Sequence, residues 1–235
     1  MCGRFAFYSA RDAMAAVFGV EDPPPIEPRY NIAPTQQVPV IRAGEDGTRY
    51  VAMLRWGLVP FWARDTKIGN RLINARAETA AGKPAFRAAW SRRRCLVPAD
   101  GFYEWRAGPD GKTPWFVSAA AGEPFAMAGL WEHWEPKTGA DEEAAGPLET
   151  FTILTTAPID LMARLHDRMP LVLGAERSAA WLAGEDPAGD GDSLADPAVA
   201  LRAWPVSRRV NSPRNEDASL VEPAGDERLD ETGSG

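Results

Sequence analysis

The chain has 235 residues, 45% hydrophobic and 25% charged, with 33 acidic against 26 basic side chains and a net charge of −7. This is the composition of a globular protein of one large or two small domains, which excludes a fibrous or wholly disordered chain. No apolar run approaches the roughly 18 residues of a membrane span, no apolar stretch with a cleavage site marks a signal peptide, and two cysteines with two histidines make neither a disulfide framework nor a zinc pattern.

Residues 2–8 read as a strand, and Ser9 is placed to cap a short helix over 10–18. Glu21 to Pro28 is a rigid proline loop. Residues 35–42 and 49–56 flank a Gly-Glu-Asp-Gly turn and predict a hairpin. A helix is expected over 82–91, ending in Arg92-Arg93-Arg94, and then short strands at 94–98, 101–106, 113–118, 125–132 and 149–156. The acidic stretch between Lys137 and Glu149 reads as a surface loop, 175–183 and 197–202 as helices, and 184–196 as a Gly/Asp-rich loop. Many short strands with few helices predict an α+β fold: a single domain over 1–222 built on a curved, mainly antiparallel β-sheet or barrel with a few peripheral helices. Residues 223–235 are expected to form a disordered tail. No repeat, phosphate loop or Gly-rich dinucleotide motif is present, and no metal or cofactor is expected.

The net charge hides an asymmetry. Residues 1–106 carry 16 basic against 10 acidic side chains, and residues 107–235 carry 10 against 23. Within 47–106 the balance is 12 against 4, so a local basic surface can meet phosphates although the whole chain is acidic.

Cys2 follows the initiator methionine directly. If Met1 is removed, one residue carries an α-amine and a thiol on adjacent carbons, with reference pKa values of about 8 and about 8.5, so a useful fraction of each is reactive near neutral pH. A 1,2-aminothiol condenses with an aldehyde to an imine and then, by thiol addition, to a five-membered thiazolidine. A mid-chain cysteine lacks this chemistry.

Four strings accompany the Met-Cys-Gly-Arg-Phe start: Arg29-Tyr30-Asn31-Ile32-Ala33-Pro34, Asn74-Ala75-Arg76-Ala77-Glu78-Thr79, Gly101-Phe102-Tyr103-Glu104-Trp105, and Leu165-His166-Asp167-Arg168-Met169-Pro170. The segment Trp56 to Trp62 adds a further match. In this order the strings resemble the SRAP family, SOS response-associated peptidase-like proteins that crosslink to abasic sites in DNA. The resemblance runs from Cys2 to about Val221. It implies a DNA-damage role: covalent capture of abasic sites in single-stranded DNA through the Cys2 thiazolidine. It also implies a thiol-peptidase-like self-processing of Met1 and a lyase-like activity. With no membrane span or signal peptide, the protein is expected to be a cytoplasmic monomer, nucleoid-associated if the host is bacterial, with no membrane partner.

The resemblance makes Cys2, Asn74, Glu104 and His166 the active site. A carboxyl flanked by Tyr103 and Trp105 is expected to have a raised pKa and to deliver the proton that opens the abasic sugar. The alternative for Glu104 is a charge on the outer face of its strand. His166, beside polar Asp167 and Arg168, suits the proton transfers of carbinolamine and imine; His133 reads as structural. The Asn74 amide offers a hold for the Cys2 amine or a sugar hydroxyl, or else serves a turn. Arg4, Arg76 and Arg168 sit within two residues of three of these groups, and their forks match phosphate oxygens. Trp62 is a candidate for stacking on a base, or else core packing. Pro34 and Thr155 match family positions near the DNA. Two rival readings remain: an N-terminal-cysteine amidotransferase or peptidase, and a non-catalytic single-strand DNA binder.

Overall fold

The computed structural model describes residues 2–9, 11–137, 146–185 and 199–230. The predicted hairpin is present as β3 (Gln37–Ala43) and β4 (Arg49–Trp56), paired antiparallel from Gln37↔Arg55 to Ala43↔Arg49. Its turn closes where Gly44 N–H donates to Thr48 O at 2.8 Å and Thr48 N–H donates to Asp46 Oδ1 at 3.0 Å. From β3 the sheet continues through β6 (Arg94–Ala99) and β9 (Phe125–Trp134) to β10 (Leu148–Thr156). β10 then meets β4 in parallel through Thr150↔Arg55 and Phe151↔Trp56, which closes a five-stranded barrel. The short β5 (Asn74–Arg76) lies parallel to β10 beyond that closure, and the two-residue strands β11 (Met169–Pro170) and β12 (Val172–Leu173) pair antiparallel with β10 and β9, respectively.

A second, six-stranded sheet contains β1 (Phe5–Phe7), β2 (Arg29–Ile32), β7 (Gly101–Gly108), β8 (Gly111–Ala119), β13 (Leu201–Pro205) and β14 (Leu229–Asp230), in the order β14-β13-β8-β7-β1-β2. The core joins the two sheets. Phe5 meets Trp56 edge-on with ring centroids 5.2 Å apart, and Trp56 stacks on Phe151 at 6.3 Å. Such aromatic pairs contribute about 0.5–1.5 kcal/mol each beyond the area they bury. Two glycines permit close approaches. Gly57 has φ +119°, and a Cβ there would lie 2.6 Å from Gly69 O. A Cβ at Gly101 would lie 2.5 Å from Val117 O, so β7 packs against β8 only without one.

Around the sheets lie α1 (Arg11–Phe18), α2 (Ala77–Ala80), α3 (Arg87–Arg92), α4 (Asp160–Ala163) and α5 (Ala175–Leu182). The α1 helix buries Met14 and Phe18, one helical repeat apart. The α+β single-domain reading on a curved sheet and barrel therefore holds.

Three local expectations are corrected. The helix expected at 82–91 starts only at Arg87, after a turn through Gly82–Pro84. The helix expected at 197–202 is replaced, where described, by strand β13, because pairing to β8 from Leu201↔Ala119 to Pro205↔Trp115 outweighs local propensity. The expected tail is ordered through Asp230: β14 pairs with β13, Leu229 is buried, and Arg106 forms a two-pronged ion pair with Glu227. Most of the predicted acidic loop (138–145) and Gly/Asp loop (186–196), and residues 231–235, lie outside the described residues.

Candidate active site around Cys2

Strand register builds the site at the seam of the two sheets. In β1, Phe5 pairs with Phe102 on one side and with Ile32 on the other, and Tyr103 N–H donates to Arg4 O at 2.9 Å. The chain ahead of Phe5 therefore runs beside Glu104 of β7 and toward the turn at Ala33–Pro34. From the barrel side, β5 brings Asn74, whose Nδ2 donates to Cys2 O at 2.8 Å. His166 comes from the turn after α4, with its N–H donating to Met162 O at 2.8 Å. Cys2, Asn74, Glu104 and His166 thus converge from four separate stretches of chain.

Cys2 is fully buried. Burial, and after it the charge of Glu104, push its thiol far above the ordinary range. This corrects the expectation of a ready thiolate: at neutral pH the sulfur is held as a neutral thiol, 3.9 Å from Arg4 O. The buried Asn74 Oδ1 has no hydrogen-bond partner among the described residues, which leaves an acceptor beside residue 2.

Glu104 is 2% exposed, and burial raises its pKa, with nearby His166 pulling the other way. The direction matches the sequence reading, but the aromatic neighbours named there are not the cause. Strand alternation turns Tyr103 and Trp105 to a second core cluster. Glu104 shares the inner face with Phe102 and lies opposite Trp115 on β8. It is therefore not a charge on an outer face. A carboxyl whose folded pKa is raised stabilises the fold below its unfolded value, and that contribution is lost as pH rises through the folded value. Glu104→Gln should remove this loss. In thermal melts from about pH 4 upward, the variant is expected to gain stability relative to the parent as pH rises; a constant difference would contradict the raised carboxyl.

The residues expected to hold a polyanion divide into two groups. Arg4 Nη1 donates to Asn31 Oδ1 and to Val210 O, both at 2.7 Å. Arg168 donates to both oxygens of Glu78 at 2.8 Å and to Thr155 O at 2.6 Å. These two guanidiniums brace the frame of the site. Arg76 is exposed. Thr155 is buried, opposite Arg76 in register. Pro34 is half-buried at a turn whose next residue, Thr35, takes φ +75°, a costly conformation for a β-branched side chain. Trp62 is 41% exposed and Phe61 54% exposed, so neither is core. Trp62 lines one shallow surface pocket with Arg64, Lys67 and Arg71, and Phe61 lines a second with Arg87, Arg92 and Arg93. His133 stands exposed on β9, 3.3 Å from Glu135.

The sequence reading singled out neither Asn31 nor Glu78. Asn31 Nδ2 donates to Ser212 O at 3.0 Å and to Asn215 O at 2.8 Å, tying the 207–217 segment to β2. Both residues lie inside strings quoted above, so the signal was their place in the string rather than a chemistry of their own.

Among the described residues no cluster of three His, Cys, Asp or Glu side chains is placed to hold a metal ion, and no helix is long and apolar enough to cross a membrane. The family model for SOS response associated peptidase (SRAP) matches residues 1–213. The abasic site processing protein YoqW of Bacillus subtilis is 41% identical over 229 residues, covering 94% of this chain and 99% of that protein. The abasic site processing protein YedK of Escherichia coli is 34% identical, covering 95% of this chain and 100% of that protein. A crystal structure of a protein from Bacteroides thetaiotaomicron superposes with a TM-score of 0.77 at 26% identity, covering 95% of this chain and 100% of that one.

Proposed function

The chain belongs to the SOS response associated peptidase (SRAP) family, and from that premise we propose that it processes abasic sites in single-stranded DNA by covalent capture on Cys2. The observation that carries the reading is the convergence of Asn74, Glu104 and His166 on Cys2, with Asn74 holding residue 2 by its carbonyl.

Removal of Met1, which the cysteine itself can promote, frees the Cys2 amine. The abasic deoxyribose is mostly a closed hemiacetal, and opening it needs a proton on the ring oxygen. Glu104, whose pKa burial raises, supplies that proton. The Cys2 nitrogen attacks C1′, the aldehyde oxygen leaves as water, and an iminium forms. His166 carries protons between the carbinolamine nitrogen and oxygen. Asn74 Oδ1 accepts from the amine or from a sugar hydroxyl. The thiol then gives its proton to His166, which had passed one to the departing water, and the sulfur adds to C1′, so aldehyde plus aminothiol gives thiazolidine plus water.

The thiol step has a protective consequence. An iminium at C1′ acidifies the C2′ protons and promotes elimination of the 3′ phosphate, which breaks the strand; this is the lyase-like side path. Sulfur addition makes C1′ tetrahedral and removes the electron sink. A buried neutral thiol suits this order: it is a poor nucleophile toward solvent electrophiles, and the positive charge of the iminium beside it favours loss of its proton as the sulfur adds.

Incubation with an abasic single-stranded oligonucleotide, followed by denaturing electrophoresis without reductant, tests the reading. A shifted band is expected without borohydride. A band that forms only with borohydride would overturn the thiazolidine and leave an imine.

The exposed Arg76, the basic surface around Phe61 and Trp62, and the Pro34 turn are the proposed contacts to the DNA strand. Binding should weaken with salt despite the acidic chain, with a logarithmic slope of about 0.7 per phosphate contacted on single strands. Arg76→Ala should make that slope shallower by about one such contact. It is the cleaner test because the Arg4 and Arg168 forks are already engaged within the protein. Salt-titrated binding that is indifferent to Arg76→Ala would remove Arg76 from the phosphate contacts.

A further inference from the structure

The His166 ring is held by a chain of contacts that begins outside the four residues of the site. Its Nδ1 lies 3.1 Å from the backbone nitrogen of Arg168 and 2.7 Å from Asp167 Oδ1. One nitrogen cannot serve both at once. It accepts from the Arg168 N–H only when unprotonated, and it donates to Asp167 only when protonated. The Asp167 side chain is 84% exposed, so water screens its charge and competes for its oxygens. The Arg168 N–H is fixed in the backbone. The partner built into the fold is therefore the N–H, which makes Nδ1 the acceptor and places the proton on Nε2.

Arg168 is itself fixed. Its side chain is 13% exposed, with one fork on both Glu78 oxygens at 2.8 Å and a further bond to Thr155 O at 2.6 Å. Glu78 lies in α2, which follows β5 and Asn74 directly, and Thr155 lies in β10. The ion pair and the Thr155 bond thus tie the His166 turn to α2, which follows the Asn74 strand, and to β10, which pairs with that strand. Burial, the largest single influence, would raise the Glu78 carboxyl, but the Arg168 hydrogen bond, a hydrogen bond to its own backbone and the charges of Arg168 and Arg76 together hold it below its usual range.

We propose that Glu78 is a further positioning residue of the crosslinking reaction: through its two-pronged pair it fixes Arg168, whose backbone N–H holds His166 in the Nε2–H tautomer beside Glu104. This rests on the role given to His166 above.

The test is Glu78→Gln, which keeps the shape but loses the charge and one acceptor oxygen. Single-turnover crosslinking to abasic single-stranded DNA should slow by about tenfold, a fraction of the ~10²–10⁴ that a general acid–base group contributes. In a His166→Ala background the same substitution should change the rate less than about twofold, because both act through one ring. Glu78→Asp, which keeps the charge, should recover part of the loss. Ring nitrogen NMR, with His133 as the other histidine, should show one tautomer in the parent and a mixture in Glu78→Gln. Equal slowing with and without His166, or an unchanged ring signature, would overturn the proposal. If His166→Ala itself fails to slow crosslinking, the role given to His166 falls, while the ring signals still decide whether Glu78 sets the tautomer.

Discussion

Cys2→Ala is expected to abolish the heat- and denaturant-resistant adduct with abasic DNA while leaving the fold intact. Both nucleophiles meet at this residue, and alanine, once Met1 is removed by an aminopeptidase, keeps only the amine. Alanine removes one buried sulfur, a truncation that costs on the order of 1 kcal/mol against the roughly 5–15 kcal/mol of a typical fold. A melting curve close to the parent's should accompany the lost adduct. Cys2→Ser also keeps the amine, so both variants should give an imine that borohydride traps, while the untrapped product does not survive denaturation. A stable adduct in Cys2→Ala without reductant would rule out the thiazolidine. Undiminished function in that variant would favour a non-catalytic single-strand DNA binder.

The second large effect separates Glu104 from His166. If Glu104 delivers the proton that opens the sugar, Glu104→Gln should slow crosslinking to natural abasic DNA by about 10²-fold or more. It should matter far less for DNA carrying a simple alkyl aldehyde, which has no ring to open. His166→Ala should slow both substrates, because carbinolamine and imine protons move in both. Forward and reverse reactions share transition states, so either loss should also slow release of DNA from the finished crosslink. Single-turnover gels with the two aldehydes decide the matter. Equal slowing of both by Glu104→Gln would refute the ring-opening role and leave Glu104 as a positioning residue or a proton carrier at a later step.

Much of this molecule is legible in the chain, and the failures have physical causes. The β3–β4 hairpin announces itself by alternation around a Gly-bounded turn, because a tight turn is a local event. The α1 helix is equally local, with Met14 and Phe18 at helical spacing. What local pattern does not carry is pairing at long range. Strand β5 is three residues long and exists because β10 lies beside it from Ile153 to Thr155. The segment around Leu201 has helix-forming composition and becomes a strand only because β8 offers an edge. β14 is ordered for the same reason, through Arg202↔Asp230 and Ala203↔Leu229.

The site follows the same division. Residue types at Cys2, Asn74, Glu104 and His166 point to carbonyl chemistry, and their strings locate them. The environment of each was not readable. Alternation correctly turns Tyr103 and Trp105 away from Glu104, but only the second sheet's packing shows that both faces of β7 are buried. Arg4 and Arg168 read as anion forks by their position beside site residues. Their partners, Asn31 and Glu78, lie 27 and 90 residues away in the chain and come into reach only through the fold.

Intact mass spectrometry tests the central claim most directly, on the purified protein alone and after mixing with abasic single-stranded DNA. The protein alone should weigh the full chain less Met1. The mixture should contain a species equal to protein plus DNA less one water, and borohydride should leave that mass unchanged, because a thiazolidine has no imine to take up hydrogen. A protein that keeps Met1 and forms an adduct all the same, or an adduct that gains two hydrogens under borohydride, would contradict capture by the amine and thiol of Cys2.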